Sequence, residues 1–217
     1  MNFEDVTQVR INGKNIAQID FENTTLWTKP PTYTELDYIQ ATGTQYITTG
    51  TPLLSNTSWT IELDIQFTAV NYNYNGIWGL TSGTNKYEAW VARNADSYTR
   101  YNGIKPSSIT MDTSRHIFRD YYNGSSMMTY IDNTLKRSYN STLLTVSDNV
   151  NLIRSSNYNG QSKLYGAKLY IGNKATLVRD FIPVLDDNNV PCLYDKVNQE
   201  YIYNAGTGTF LYGLKGA

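Results

Sequence analysis

The fold is decided between Lys163 and Gly213, by the stretch KLYGAKLYIGNKATLVRDFIPVLDDNNVPCLYDKVNQEYIYNAGTGTFLYG. Apolar residues recur in it with polar neighbours between them, which is typical of strands with one buried face. The first such run contains Leu164, Ala167, Leu169 and Ile171. Gly, Pro, Asn and Asp residues separate the runs and set the turns. The pattern predicts four or five strands, at Lys163–Ile171, Leu177–Val184, Val190–Asp195, Glu200–Asn204 and Thr209–Tyr212.

The most regular strand pattern upstream is Ser58–Phe67, with the sequence SWTIELDIQF. Strict alternation places five apolar residues on one face, namely Trp59, Ile61, Leu63, Ile65 and Phe67. We also expect Tyr38, Ile39, Tyr46 and Ile47 in the core. Further strands are predicted at Gly76–Leu80, Tyr87–Ala92, Tyr98–Asn102, His116–Tyr122, Met128–Ile131 and Asn151–Ile153. Turn signals about every 8–12 residues and almost no helical periodicity predict an all-β, two-sheet antiparallel jelly-roll sandwich.

Three segments of the C-terminal stretch resemble the closing signature of laminin-G-like (concanavalin A-like) lectin domains. They are LVRDFIPVLD from Leu177, PCLYDKV from Pro191 and YNAGTGTF from Tyr203. The resemblance runs from about Tyr33 to Gly213, and it includes the H-x-x-x-x-x-Y and Y-I-D strands that begin at His116 and end at Asp132. We associate such domains with structural and adhesion proteins of phages and prophages of Gram-positive hosts.

That resemblance implies a non-enzymatic virion protein, a tail or head fibre or a decoration protein, whose sandwich binds host cell-surface glycans. The alternative is a purely structural capsid or tail subunit that contacts only other virion proteins. A glycan hydrolase is the third reading. In either virion role we expect a homo-oligomer or several copies per particle, made in the host cytoplasm and located in the virion.

Residues 1–31 are predicted to form a small β segment ahead of a 32–217 sandwich. Asn12-Gly13 is a strong hairpin turn signal between short apolar runs, and a second turn at Glu22-Asn23 completes three strands. So small a unit is not stable alone, so residues 1–30 are expected to attach the protein to other virion proteins. Pro30-Pro31 is a stiff connector. The expected attachment residues are Ile11, Ile16, Ile19, Phe21, Leu26 and Trp27.

Composition excludes several partner classes. The net charge is −1, from 18 basic and 19 acidic residues, and no basic tract interrupts this balance, so we expect no nucleic-acid partner. No apolar run approaches the roughly 18 residues of a membrane span, and the N-terminus has no basic start or apolar core of a secretion signal. The single cysteine, Cys192, rules out an internal disulfide and is predicted to be a small buried hydrophobe.

An aromatic, amide-rich surface is the candidate glycan site. The chain has 19 Tyr and 4 Trp, which suits either strands with buried faces or a surface that stacks on sugar rings. The loop Asn71–Asn75, with the sequence NYNYN, is the strongest candidate. For Trp78 and Trp90 a place in the core is the alternative. The predicted site comprises Tyr72, Asn73, Tyr74, Asn75, Trp78, Tyr87, Trp90, Arg93, Tyr98, Tyr101, Asn157 and Tyr158.

Catalytic and metal sites are not predicted. Glu62, Asp64 and Gln66 resemble the E-x-D strand motif of laminarinase-type β-glucanases, but an amide at Gln66 cannot protonate a leaving oxygen. The simpler reading is the polar face of an amphipathic strand.

His116 has no second His or Cys close in sequence and is predicted to be structural. Asp186–Asn189 offers oxygen ligands for calcium, although an Asx-rich hairpin turn explains it more simply; no cofactor is therefore expected.

Overall fold

A computed structural model describes residues 9–11, 14–16, 18–21, 24–28, 32–70, 74–80, 87–91, 96–101, 109–140, 146–155 and 158–216. The chain divides into two compact units, Met1–Tyr33 and Thr34–Ala217. No helix within these described ranges has the length and apolar character that crossing a membrane requires.

The first unit contains two antiparallel strand pairs. Strand β1 (Val9–Ile11) pairs with β2 (Lys14–Ile16), and β3 (Gln18–Phe21) pairs with β4 (Thr24–Thr28). The three-strand prediction is therefore wrong, because the segment between the two predicted turns contains two strands, β2 and β3. Its apolar residues Ile16 and Ile19 are three apart, and an odd spacing cannot keep both on one strand face. The six expected attachment residues lie on these strands, but their side chains, the two turns and Pro30-Pro31 lie outside the described part.

The described residues of the second unit form β-strands and one short 3-10 helix, Leu53–Ser55. Its strands in the described ranges are β5 (Thr34–Thr42), β6 (Ile47–Thr48), β7 (Trp59–Phe67), β8 (Asn75–Leu80), β9 (Tyr87–Val91), β10 (Asp96–Tyr101), β11 (Ile109–Thr110), β12 (Arg115–Tyr122), β13 (Ser126–Ile131), β14 (Thr134–Asn140), β15 (Val150–Leu152), β16 (Gln161–Ile171), β17 (Thr176–Leu185), β18 (Pro191–Asp195), β19 (Glu200–Ile202) and β20 (Leu211–Leu214).

These strands form two antiparallel sheets. The larger has the order β14-β13-β12-β7-β16-β5-β17-β18-β19, with β20 paired to β5, and the smaller has the order β11-β10-β9-β8-β15-β6. Side chains from both sheets contribute to one hydrophobic core, in which Trp59 of the larger sheet packs edge-on against Trp78 of the smaller, with ring centroids 5.7 Å apart. The predicted all-β jelly-roll sandwich is confirmed.

Strand β7 confirms the alternation of the sequence. All five residues predicted on its inner face are buried, while Glu62, Asp64 and Gln66 are half-buried on the other face. The neighbouring strand β5 departs from prediction, because Tyr38 is only half-buried. A register irregularity opposite Asp37 turns Leu36 inward, together with Ile39 and Ala41. Tyr46 is likewise half-buried, whereas Ile47 is buried as predicted.

A β-bulge shapes strand β16. Leu164 and Ala167 are both buried although they are three residues apart, because the register with β7 shifts at Tyr165. Because of the extra residue, Tyr165 and Gly166 both lie on the outer face, and alternation resumes from Ala167 to Leu169. Ile171 was predicted to be buried, but it is exposed at the end of the strand, immediately before the turn at Gly172.

The polar residues of the C-terminal signature hold the closing strands together. Arg179 Nη1 lies 2.7 Å from Asp195 Oδ2, and Asp195 Oδ1 accepts the backbone N–H groups of Asp180 and Val197. Burial raises the pKa of Cys192, beside them on β18, to about 12, so this thiol is a small buried hydrophobe as predicted. The fourth predicted strand begins at Glu200 as expected but ends at Ile202, and the fifth is displaced by two residues to Leu211–Leu214.

Candidate functional site

The outer face of the larger sheet carries a row of alternating charges. Arg119 on β12 stands opposite Glu62 on β7, Glu62 opposite Lys168 on β16, and Lys168 opposite Asp180 on β17. Lys196, directly after β18, extends the row, with its Nζ 3.5 Å from Asp180 Oδ2. Opposite charges on adjacent strands attract one another across the sheet. The row therefore fixes an ordered polar surface that crosses four strands.

A groove opens beside this row, where β16 bulges. Gly166 occupies the position opposite Asp64, and its missing side chain leaves the sheet surface open there. The resulting cavity has a volume of about 270 Å³, just below the range of roughly 300–1,000 Å³ of ordinary small-molecule pockets. We call it the sheet groove. Its polar lining consists of Glu62, Asp64, Tyr165, Lys168, Asp180 and Lys196.

Tyr165 is held rigidly at the edge of the sheet groove. Its hydroxyl donates to Gln66 Oε1 at 2.7 Å, and the guanidinium of Arg115 stacks on its ring 3.7 Å from the centroid. Tyr38 packs against the same ring edge-on, with centroids 5.5 Å apart. Burial raises the pKa of Tyr165, so its hydroxyl remains a hydrogen-bond donor at neutral pH. A phenol ring fixed in this way is a preorganised contact surface.

The three residues that resemble the glucanase motif have structural partners. Asp64 accepts two hydrogen bonds from Arg115, at 2.7 and 2.8 Å, and Glu62 forms an ion pair with Lys174. Gln66 accepts from Tyr165 and donates to the carbonyl oxygen of Thr113 at 2.9 Å. Gln66 therefore positions the tyrosine ring.

The predicted aromatic surface is only partly assembled. The rings of Tyr74 and Tyr158 stack with centroids 4.4 Å apart, although the two residues are distant in sequence. Tyr74 is 43% exposed, and Tyr158 is half-buried in a turn where its N–H donates to Ser155 Oγ. We call these two rings the tyrosine pair. They lie on the surface as predicted, outside the lining of the sheet groove.

Four other predicted site residues lie in the interior. Trp78, Tyr87 and Trp90 are buried on β8 and β9, so the core alternative is correct for both tryptophans. Asn75 is buried as well, where its Oδ1 accepts the N–H of Gln161 and its Nδ2 donates to Ala69. Every residue of β8 and β9 is buried, which removes these side chains from the predicted surface.

The remaining predicted residues cannot be assigned to a face. Tyr98 and Tyr101 lie on β10, but their side chains are outside the described part. Tyr72, Asn73, Arg93 and Asn157 lie wholly outside it.

The possible calcium segment forms a hairpin turn. Asp186 Oδ1 accepts the N–H groups of Asn188 and Val190, at 2.9 and 2.8 Å, and its other oxygen accepts from Tyr203. The bond from Val190, with those from Tyr203 and Asn188, keeps the pKa of Asp186 below its usual value. Among the described residues, no group of three or more His, Cys, Asp or Glu side chains is arranged to hold a metal ion. The Asx-turn reading therefore accounts for the carboxylate that was the best calcium candidate.

His116 lies between two carboxylates from separate turns. Its Nδ1 is 2.7 Å from Asp132 and its Nε2 is 2.9 Å from Asp112, at the edge of a cavity that Lys136 also lines. Partial burial disfavours the imidazolium, but the hydrogen bonds to Asp132 and Asp112 outweigh burial and raise the pKa of His116. Backbone N–H groups and His116 lower the pKa of both carboxyl groups. The cluster joins the turn before β12 to the turn after β13.

We expect this cluster to stabilise the fold in a defined pH window. A raised histidine pKa contributes stability that is complete below the unfolded value of 6.5 and is lost as pH rises through the folded value. The lowered carboxyl pKa values contribute stability above 3.8 that is lost as pH falls. The stability difference between wild type and His116→Gln, measured by urea denaturation, should therefore be larger at pH 5.5 than at pH 9. An equal difference at both pH values would contradict this expectation.

Four residues of the sheet groove were not predicted from the sequence, because strand topology brings them together. Tyr165, Lys168, Asp180 and Lys196 line the sheet groove with Glu62 and Asp64. The alternation of β7 predicts that Glu62 and Asp64 face outward. Their neighbours depend on strand order and on the bulge in β16, neither of which leaves a local sequence signal.

Comparison with known proteins yields distant likenesses. No family model matches the chain, and no curated protein is detectably similar to it. Among similar solved structures is the alginate lyase AlgAT5 of polysaccharide lyase family 7, with 11% identity and a TM-score of 0.39. That match covers 52% of this chain and 58% of the lyase, so the chain spans little more than half of that protein's length.

Two further solved structures are matched over most of their own length. One is the CBM40 module of the Ruminococcus gnavus IT-sialidase, bound to α2,3-sialyllactose, which is 9% identical to this chain. The match covers 59% of this chain and 89% of the module, with a TM-score of 0.44. The SAP-like pentraxin of Limulus polyphemus is 7% identical, with 84% and 90% covered and a TM-score of 0.45. At such identities, the likeness concerns the fold alone.

Proposed function

We propose that this chain is a non-enzymatic glycan-binding protein whose ligand lies in the sheet groove. The observation that carries the proposal is the fixed ring of Tyr165 beside a cavity lined with hydrogen-bonding side chains. Sugars present an apolar ring face and several hydroxyl groups, and aromatic rings with carboxylate and ammonium groups complement both. We assign the face of Tyr165 away from Arg115 to a sugar ring, and Asp180 and Glu62 to its hydroxyl groups.

The virion setting and the attachment role of residues 1–30 are part of the same proposal and rest on the sequence resemblance. In this setting the sandwich, in a tail or head fibre or decoration protein, presents the sheet groove to host surface glycans. The setting is tested by whether the protein copurifies with phage particles in stoichiometric amounts.

Absence of glycoside hydrolysis is also proposed, from the chemistry of β7. Retaining hydrolysis needs two carboxyl groups about 5–5.5 Å apart, one of which must donate a proton. Gln66 occupies the third motif position and is hydrogen-bonded to Tyr165, while both oxygens of Asp64 accept from Arg115. These partners support a positioning role for the whole strand face.

Replacement of Tyr165 tests the proposed site. We expect Tyr165→Ala to weaken binding to host cell-wall glycans about tenfold or more, which corresponds to about 1.4 kcal/mol, because the stacking surface is lost. Tyr74→Ala is the matched control, since it removes an equally large exposed ring from the tyrosine pair. Binding is measured on an array of host cell-wall glycans, with circular dichroism as the check on folding.

Two results would overturn the assignment. Unchanged binding by Tyr165→Ala would remove the sheet groove as the site. Loss of binding by Tyr74→Ala alone would move the site to the tyrosine pair.

A purely structural subunit is the second candidate, and strand β20 favours it. Leu211, Tyr212 and Leu214 are all about half exposed on this short strand. Apolar side chains at a sheet edge suit contact with another protein. Copurification with particles, together with no glycan binding by the wild-type protein, would favour this candidate over the first.

A further inference from the structure

Charge is distributed by depth in the sheet groove. The side chains of its three carboxylates, Glu62, Asp64 and Asp180, are only 12–25% exposed. The cations paired with them are 35–50% exposed, and these are Arg115, Lys168, Lys174 and Lys196. The groove thus has an acidic floor and a basic rim.

The two lysines of the groove lining are its most exposed charges. Lys168 and Lys196 stand above the three carboxylates of the lining, so any preference for an anion depends on the depth of the charges and not on their sum. Because the cations are the more exposed groups, an approaching ligand meets them first. An anionic group is therefore attracted to the rim, and it is repelled by the carboxylates if it moves deeper.

Two of the rim cations are available to a ligand. The Nζ atoms of Lys168 and Lys196 lie 3.9 and 3.5 Å from Asp180, farther than a direct hydrogen bond. Each ammonium has three donors, so both retain hydrogen-bonding capacity beyond this ion pair. Arg115 differs, because its guanidinium is engaged by two short hydrogen bonds to Asp64.

We propose that the sheet groove selects anionic glycans. A carboxylate, sulfate or phosphodiester of the ligand pairs with Lys168 and Lys196 at the rim, while hydroxyl groups of the adjoining sugar donate to Asp180 and Glu62 on the floor. This inference rests on the proposed glycan-binding function and adds the charge of the ligand to it. Lys168 and Lys196 are the specificity-determining residues.

Two matched pairs of ligands isolate charge from shape. One pair is an oligogalacturonide and its fully methyl-esterified form, and the other is dextran sulfate and dextran. Binding of each ligand to the full chain is measured by calorimetry at low salt. We expect the acidic member to bind about fivefold to thirtyfold more tightly, since each exposed ion pair contributes a few-fold. In Lys168→Gln/Lys196→Gln the two members should bind equally. Lys136→Gln, which removes an exposed lysine outside the groove, should retain the preference.

Each outcome has a distinct meaning. Equal binding of the acidic and neutral members by the wild type overturns charge selection and leaves the glycan-binding function standing. A preference that survives in the double variant overturns the assignment to these lysines. Binding of none of the four ligands overturns charge selection, and the glycan-binding function is then decided by the array of host cell-wall glycans. A preference that is abolished in the double variant and shrinks at higher salt supports the inference.

Discussion

Replacing Asp120 with alanine should lower the free energy of unfolding by about 2–5 kcal/mol. Asp120 lies on β12 and is fully buried between the two sheets. Its Oδ2 accepts the indole N–H of Trp78 at 2.8 Å, and its Oδ1 accepts the hydroxyl of Thr129 at 2.6 Å. Alanine removes both acceptors and leaves a cavity, and a buried donor that loses its acceptor costs about 1–3 kcal/mol.

The effect should be large because this carboxylate joins the sheets. Trp78 belongs to the smaller sheet, whereas Asp120 and Thr129 belong to the larger one. Arg137 extends the network by donating to Thr129 Oγ1 at 3.2 Å. A polar network of this kind specifies how the two layers face each other, in addition to its contribution to stability.

Guanidinium denaturation followed by far-UV circular dichroism measures the loss. Asp120→Asn is the graded control, because its amide oxygen keeps one acceptor in the same volume, and we expect it to lose less stability than Asp120→Ala. An alanine variant less than about 1 kcal/mol below wild type would show that the network contributes little.

Alternation in the sequence predicts the direction of side chains where a strand has one solvated face. In β7 it gave both faces correctly. In β12, Phe118 and Tyr122 are buried on either side of Asp120, so alternation alone points this carboxylate inward. The sequence does not show the partner that makes burial tolerable, because Trp78 is 42 positions away and on the other sheet.

The candidate glycan surface was misjudged where both faces of a strand are covered. Strands β8 and β9 are buried along their whole length, so neither Trp78 nor Trp90 lies on a solvated strand face. Aromatic composition cannot distinguish such a strand from a binding surface. The sheet groove was not predicted because it depends on a bulge. Tyr165 faces outward beside the inward Leu164, but the open space next to its ring exists because the bulge places Gly166 on the outer face too, which breaks the period of two.

Gly206→Ala should be the second strongly destabilising change, by about 2–4 kcal/mol. The residue lies in the YNAGTGTF segment of the C-terminal signature, which packs on the chain at Thr44–Tyr46. A Cβ at position 206 would overlap the carbonyl oxygen of Thr44 and approach Tyr46 Cδ1 to 3.0 Å. The first of these neighbours is backbone, so relief requires the segment to move away.

Moving the segment would break the hydrogen bonds on both sides of Gly206. The N–H of Ala205 donates to Tyr46 at 2.9 Å, and the N–H of Thr207 donates to Thr44 at 3.2 Å. Asn204 adds a third link, because its Oδ1 accepts the N–H of Tyr46. The cost of the alanine is therefore the overlap or the loss of these bonds, whichever is smaller.

Gly216→Ala provides the matched control for this variant. The substitution is the same, but nothing lies within 4 Å of the added Cβ, and only the positive φ of +79° opposes it. We expect Gly216→Ala to lose clearly less stability than Gly206→Ala when both are measured by thermal unfolding. For a domain of this size, each kcal/mol of lost stability lowers Tm by roughly 2–4 °C. Equal losses would mean that close packing at Gly206 costs no more than the positive φ at Gly216, and would contradict this prediction. A larger loss at Gly206 would instead explain why this segment of the signature contains a residue without a side chain.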